Sequence, residues 1–382
     1  MKSARIRLGM VGGGRNGFIG GVHRFAARLD DEYELVAGAL SSDPVRAKVS
    51  GDDLGIAADR VYTDFREMAR AEATRPDGIQ AVSVVTPNAL HVPVARAFLD
   101  AGIHVICDKP LAISLDEALS LRSSVAESGR VFVLTHNYSA YPMVRLARQM
   151  VERGEIGRIQ TLQVEYLQDW LATAVEVDGN AGAAWRTDPD TAGQGGAIGD
   201  IGTHAFHLMR FVTGLVPQSL SARLSTFVEG RRVDDDAQVM MSFDGGAHGF
   251  LWASQVAPGH ANSLRLRVYG NAGMIDWSQE RPEELTFARL GEAPRLLRRG
   301  HADAEQADSR IPGGHPEGYL EAFATIYREA ADAIHKQHSG IVIGDTLSPG
   351  LSDGIEGMAF IECALASSRN GGIPTTLSLP SP

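Results

Sequence analysis

The chain has only two cysteines, Cys107 and Cys363, and both sit inside apolar runs. Two such thiols exclude a disulfide framework and a cysteine-rich zinc site, and they fit a reducing compartment. Long apolar runs are also missing. None approaches the ~20 residues that span a bilayer, and the basic N-terminus carries neither an apolar signal core nor a twin arginine. No basic block occurs and the formal net charge is −11, so neither nucleic acid nor an anionic membrane is an expected partner. Internal repeats and low-complexity stretches are absent as well. A cytoplasmic protein is the expectation.

What is present is a globular composition, 44% apolar and 22% charged over 382 residues. That length exceeds one ordinary core, so two domains are expected. The first half alternates strands and helices. Residues 6–11 turn fully apolar, as a central parallel strand does. Gly12-Gly13-Gly14-Arg15-Asn16-Gly17 follows at once, and residues 18–29 have helical spacing, with Gly20 and His23 as the alternative helix start and Gly17 then in an enlarged loop. In that context the glycines permit a tight turn and close backbone approach to a pyrophosphate, and the helix N-terminus supplies N–H donors. A second strand, 33–40, runs out in Ser41-Ser42-Asp43-Pro44-Val45-Arg46. Serine stands where an NAD site commonly has an acid, Asp43 lies two residues on, and Arg46 either meets a 2′-phosphate or is a first-turn surface residue. The turn favours NAD, with NADP as the alternative.

Two further βα units follow. Residues 81–85 end in Thr86-Pro87-Asn88-Ala89-Leu90-His91, where Asn88 and His91 either contact cofactor or cap the next helix. Residues 103–107 form a buried strand that ends at Asp108-Lys109-Pro110. Proline stops the ladder and constrains the turn, so an amine, Lys109, stands at the carboxyl end of a strand, where ligands bind in open α/β sheets. Ser114 and Glu117 make a capping box for a helix closing near Gly129, and 131–134 is a further strand. Strands alternating with helices imply a doubly wound parallel sheet over 1–135, a dinucleotide-binding Rossmann domain.

After Thr135 the character changes. His136 and Tyr138 lie in a polar, aromatic loop that leaves the sheet and is expected to meet substrate. Residues 136–382 are then read as a substrate-binding and oligomerisation α/β domain. Its runs 159–167, 219–229, 237–243, 249–255 and 264–269 predict an open, mainly antiparallel sheet. One helix, 196–211, interrupts them. Asp200 and His204 are four apart and share a face; the pair is either catalytic, with the carboxylate fixing the imidazole, or structural. Metal ligation is not expected, because no further ligand falls at the right spacing. Trp185 and Arg186 are candidates for stacking on and holding a polar substrate, or for packing. Asp234-Asp235-Asp236 is expected to be a solvated turn.

These pieces together resemble the Gfo/Idh/MocA oxidoreductases over nearly the whole chain. Gly12, Gly14 and Gly17, then Thr86-Pro87-Asn88 with His91, then Asp108-Lys109-Pro110, then Gly195-Gly196 with Asp200, Gly202 and His204 occur in that family's order. Asp108 stands where the family usually has glutamate. The resemblance implies a nicotinamide cofactor held by Gly12, Gly14, Gly17, Ser41, Asp43, Arg46, Thr86, Asn88, His91 and Lys109. It implies a sugar, cyclitol or related polyol as substrate, a homo-oligomer (dimer or tetramer) built through the open sheet, and Lys109, Asp200 and His204 as the catalytic group in a cleft between the domains. Two other functions share these features: glycoside cleavage through transient sugar oxidation, and non-catalytic nicotinamide sensing.

Overall fold

The computed structural model describes residues 4–15, 17–301, 309–342 and 346–379; Asn16 of the glycine loop lies outside the described residues. The chain forms two compact units, one of residues 1–112, 116–137 and 320–354, the other of residues 113–115, 138–319 and 355–382.

The first unit alternates β1 (Ile6–Gly12), α1 (Phe18–Leu29), β2 (Tyr33–Ala39), α2 (Pro44–Asp53), α3 (Phe65–Thr74), β3 (Ala81–Val85), α4 (His91–Asp100), β4 (His104–Cys107), α5 (Leu115–Ser120), α6 (Arg122–Ser128) and β5 (Phe132–Leu134). The five strands pair in parallel in the order β2-β1-β3-β4-β5. All five residues of β3 and all four of β4 are buried, as expected when helices cover both faces of a sheet. The chain winds outward from β1 to β2 and then crosses back to β3, so the order reverses between β1 and β3. At that switch point Gly12 pairs with Val85, and ligands bind beyond such strand ends. The single helix expected from Ser114 is broken at Leu121 into α5 and α6; α6 stops at Gly129, whose φ of 59° suits a residue without a side chain.

The second unit holds α7 (Pro142–Glu152), β6 (Ile159–Leu167), α8 (Ala181–Arg186), α9 (Pro189–Ala192), a π-helical turn Ile198–Gly202, α10 (Thr203–Thr213), β7 (Pro217–Ser225), β8 (Asp236–Phe243), β9 (His248–Ser254), β10 (Ser263–Gly270), β11 (Gly273–Ser278), β12 (Glu284–Arg289) and β13 (Arg295–Arg298). After them come α11 (Tyr319–His338), α12 (Leu351–Arg369) and β14 (Thr375–Thr376). Nine strands form one sheet, β13-β12-β11-β10-β6-β9-β8-β7-β14, antiparallel except for the β6–β9 pair. Burial alternates along β8, β10 and β11, so one face is core and the other is open. The core face is covered by α7 and α10.

From Leu320 onward α11 belongs to the first unit, which the expected division at residue 135 did not include. The reason is Tyr327. Its hydroxyl meets His23 Nδ1 at 2.8 Å and Ser83 Oγ at 2.6 Å, and its carbonyl accepts from the Tyr33 hydroxyl at 2.9 Å. His23 is fully buried and burial pushes its pKa down to about 4, so the ring is neutral and needs that partner.

The acidic run 234–236 is a correction to the solvated turn expected from sequence. All three side chains are buried. Asp234 accepts from the Gly196 and Ile198 amides at 2.7 and 2.8 Å, Asp235 from the Phe227 and Val228 amides and from Arg231, and Asp236 from Trp252 Nε1 at 2.8 Å. Buried carboxylates stand here because each satisfies donors that would otherwise be orphaned.

Candidate active site

In the first unit the glycine loop has the shape of a phosphate cradle. Gly12 and Gly13 have φ of 81° and 64°, a region disfavoured by side chains. A Cβ on Gly14 would lie 2.8 Å from both the Leu40 carbonyl and Ser50 Oγ, and one on Gly20 would lie 2.4 Å from Gly13. Gly17 is the N-cap of α1. The glycine that lets the helix pack closely on the loop is therefore Gly20. The sequence left Gly17 and Gly20 both open as the glycine at the helix start, and α1 starts at Phe18, between them. Thr86 follows β3, and its methyl would lie 3.1 Å from a Cβ on Gly12. Thr86 Oγ1 is buried without a hydrogen-bond partner among the described residues, an orphan that suits a polar ligand. These features fit a dinucleotide.

At the end of β2 the turn is held by local bonds. Asp43 caps α2 by accepting from the Arg46 amide at 2.8 Å, the Asp43 amide donates to Ser41 Oγ at 3.2 Å, and the Arg46 side chain stays exposed 3.8 Å from Asp43. Asn88 is buried in a short 3₁₀ turn. His91, the first residue of α4, is buried, with Nδ1 2.6 Å from the Pro110 carbonyl and Nε2 2.9 Å from that of Thr86. Each ring nitrogen thus faces a backbone carbonyl of this chain.

Lys109 sits half-buried on a turn whose bond to Pro110 is cis. Asp108 holds that turn: its Oδ1 accepts from the Lys109 amide at 2.9 Å and from Thr135 Oγ1 at 2.8 Å, and His23 Nε2 lies 4.0 Å away. His136 is buried, with its amide donating to the Leu134 carbonyl.

In the second unit Asp200 lies in the π-helical turn and His204 in the first turn of α10. The uninterrupted α-helix expected over 196–211 is therefore a π turn followed by an α-helix; such turns recur at functional sites. Gly196 admits no side chain, because a Cβ would lie 1.9 Å from the Asp234 carbonyl. Asp200 Oδ2 accepts from Gln255 Nε2 at 2.9 Å and lies 3.5 Å from Arg186 Nε. Gln255 is buried whereas Arg186 is partly exposed. A partly exposed ion pair contributes at most about 1 kcal/mol, so the amide is the firmer restraint on the carboxylate. The Arg186 guanidinium lies 4.2 Å from the Trp185 ring and 5.8 Å from that of Trp170.

The His204 ring is buried against Tyr138, 4.8 Å between centroids and edge-on, and Tyr166, 6.1 Å. The two phenols meet at 2.6 Å; Tyr166 donates to Asn262 Oδ1 at 2.7 Å, and Gln168 donates to the same oxygen. Burial pushes both phenol pKa values up, so they remain protonated at neutral pH. Sequence reasoning found Tyr138 but missed Tyr166, Gln168, Gln255 and Asn262. Their only signal was polar side chains at the ends of β6, β9 and β10. Among the described residues no group of three or more His, Cys, Asp or Glu could hold a metal, and no helix is long and apolar enough to cross a membrane.

A dinucleotide cradle and, in the other unit, a helix start that carries a carboxylate and a buried imidazole are the parts of a nicotinamide-dependent oxidoreductase. Comparison with known proteins agrees. Residues 6–136 match the family described as oxidoreductase, NAD-binding Rossmann fold, and residues 144–276 match the GFO/IDH/MocA C-terminal domain. The chain belongs to the GFO/IDH/MocA oxidoreductase family, and its first unit carries that family's NAD-binding domain. An oxidoreductase structure from Sinorhizobium meliloti is 49% identical, with TM-score 0.87, covering 97% of this chain and 99% of that one. An inositol dehydrogenase homolog from Azotobacter vinelandii, solved with NADH and myo-inositol, is 36% identical, with TM-score 0.90, over 98% of both chains. Levoglucosan dehydrogenase of Pseudarthrobacter phenanthrenivorans is 30% identical over 95% of this chain and 96% of its own.

Two outcomes are expected. Gly14→Val forces a branched side chain against Leu40 and Ser50 and should weaken NADH binding more than ~10-fold in a fluorescence titration; unchanged affinity would remove the loop from the cofactor site. The second concerns Asp234, whose pKa burial raises to about 6 from an ordinary 3.8. The folded chain then holds this proton more tightly than the unfolded one. Its contribution to stability is full below pH 3.8, declines as pH rises through about 6, and is constant above. The stability of wild type relative to Asp234→Asn should therefore fall as pH rises from 4 to 6, by up to about 3 kcal/mol. A stability difference that stays flat over that range would show that Asp234 titrates normally.

Proposed function

We propose that the protein oxidises a secondary alcohol of a sugar, cyclitol or related polyol with NAD as hydride acceptor, or runs the reverse reduction. His204 is the base, Lys109 binds the reacting oxygen, and Asp200 orients the imidazole or holds an adjacent hydroxyl. The observation that carries the reading is the buried His204 ring walled by two protonated phenols, one turn from a carboxylate held by Gln255. An imidazole titrates near neutral pH and takes the hydroxyl proton as the alcohol becomes a carbonyl. The ammonium of Lys109 stabilises the alkoxide that develops. Bound NAD supplies the hydride chemistry. The hydroxyls and amides of Tyr138, Tyr166, Asn262 and Gln168 suit a ligand dense in hydroxyl groups, and Trp185 with Arg186 suits its apolar face and polar edge. The named relatives that act on inositol and levoglucosan support the same substrate class. His136 joins the substrate group in this proposal. Ser41, Asp43 and Arg46 meet the adenosine ribose, with NAD preferred modestly over NADP because Asp43 disfavours a phosphate.

Oligomerisation belongs to the proposal too. On the open face of the second-unit sheet Met240 is 67% exposed and pairs across strands with Phe250, whose neighbour on β6 is Gln163. An exposed apolar pair on an uncovered sheet face favours a second copy of the chain. Light scattering at micromolar concentration should give a dimer or tetramer mass; a mass of 40.9 kDa would contradict it.

The catalytic assignment is tested with variants, on a substrate found by screening cyclitols and pyranoses with both cofactors. Lys109→Ala and His204→Ala should each lower kcat about 10²–10⁴-fold with NADH affinity little changed. The double variant should lose less than the product of the two, since both act on one oxygen. Folded single variants with wild-type kcat would leave Asp200 and His204 as a structural pair.

A further inference from the structure

The β3–β4 ladder ends where the Asp108 amide donates to the Val84 carbonyl at 2.9 Å. Beyond that bond the two chains run on to Thr86 and Pro110, and proline has no N–H with which to continue the pairing. The His91 ring stands there instead, with Nε2 2.9 Å from the Thr86 carbonyl and Nδ1 2.6 Å from the Pro110 carbonyl. A carbonyl oxygen only accepts, so each ring nitrogen must donate to make its bond. A neutral ring makes one of the two; an imidazolium makes both.

We infer that His91 is a positioning residue for Lys109: its ring ties the ends of β3 and β4 together and so fixes the turn that presents the ammonium. This rests on the reading that Lys109 acts on the reacting oxygen. The charged and titratable groups around the ring come from the neighbouring elements. Asp108 favours the second proton, Lys109 opposes it, and His23 of α1 lies close enough for the two rings to disfavour each other's charge. Burial is the largest influence and lowers the His91 pKa. The single-bond form is therefore the resting state at neutral pH, and the tie tightens as pH falls.

The test uses the full chain. His91→Phe keeps a planar ring and removes both donors; His91→Asn keeps one donor. A misplaced reacting group costs about 10²-fold in rate, so His91→Phe should lower kcat by about that factor while KM and the NADH dissociation constant stay within about twofold. His91→Asn should recover part of the loss. Because His91 acts through Lys109, the Lys109→Ala/His91→Phe double variant should turn over no more slowly than Lys109→Ala alone. A His91→Phe protein at wild-type kcat overturns the inference. So does one that loses NADH affinity in step with kcat, which would return the ring to the cofactor site. If His91→Phe does not fold, His91→Met also removes both donors, and a folded His91→Met at wild-type kcat overturns the inference equally. Full turnover in Lys109→Ala would instead defeat the reading beneath it, and the two failures are told apart by that one control.

Discussion

Pairing between β3 and β4 stops at the bond from the Asp108 amide to the Val84 carbonyl, and the turn that carries Lys109 begins where that ladder gives out. Past this point side chains help to hold the chain in place. Asp108 turns back to accept from the Lys109 amide and from Thr135. His91 faces the carbonyls of Thr86 and Pro110. Beneath them, His23, Tyr327 and Ser83 tie α1, α11 and β3 into one buried polar network. A lysine at a strand end is otherwise flexible, and a buried polar network beneath it restrains the turn that carries it.

The second unit solves the same problem with other means. A π turn breaks the regular helix before α10, and the Asp234 carboxylate satisfies two amides at its start. The close approach of Gly196 to the Asp234 carbonyl makes that geometry available to glycine alone. Gln255 then fixes Asp200, while Tyr138 and Tyr166 fix the plane of His204. The cost of burying the Asp234 charge shows as its raised pKa, which places part of the unit's stability at the service of this lead-in.

The parts of the fold legible in sequence were those written in local pattern. Ala81–Val85 and Ile159–Leu167 were read with the bounds the structure has, because apolar runs between turn residues are a nearest-neighbour signal. The glycine loop, the lysine turn and the Asp200–His204 spacing were legible for the same reason. The misreadings share the opposite cause. Asp234-Asp235-Asp236 carries the composition of a solvated turn, and its donors lie up to 38 residues away. Tyr327 meets a histidine 304 residues distant, so nothing near α11 announces that it belongs with the first sheet. Gln255, Tyr166 and Asn262 are ordinary strand-end residues until the sheet brings them together.

The central claim is net oxidation of a secondary alcohol by a chain whose own residues handle the proton and the charge on oxygen. The most direct measurement is stoichiometric. With NAD and a turned-over polyol or pyranose, NADH formed at 340 nm is counted against ketone or lactone recovered. One NADH per carbonyl product, lost in Lys109→Ala, is the predicted result. A cleaved glycosidic bond with no net NADH, or binding of NADH with no turnover on any substrate, would contradict the account.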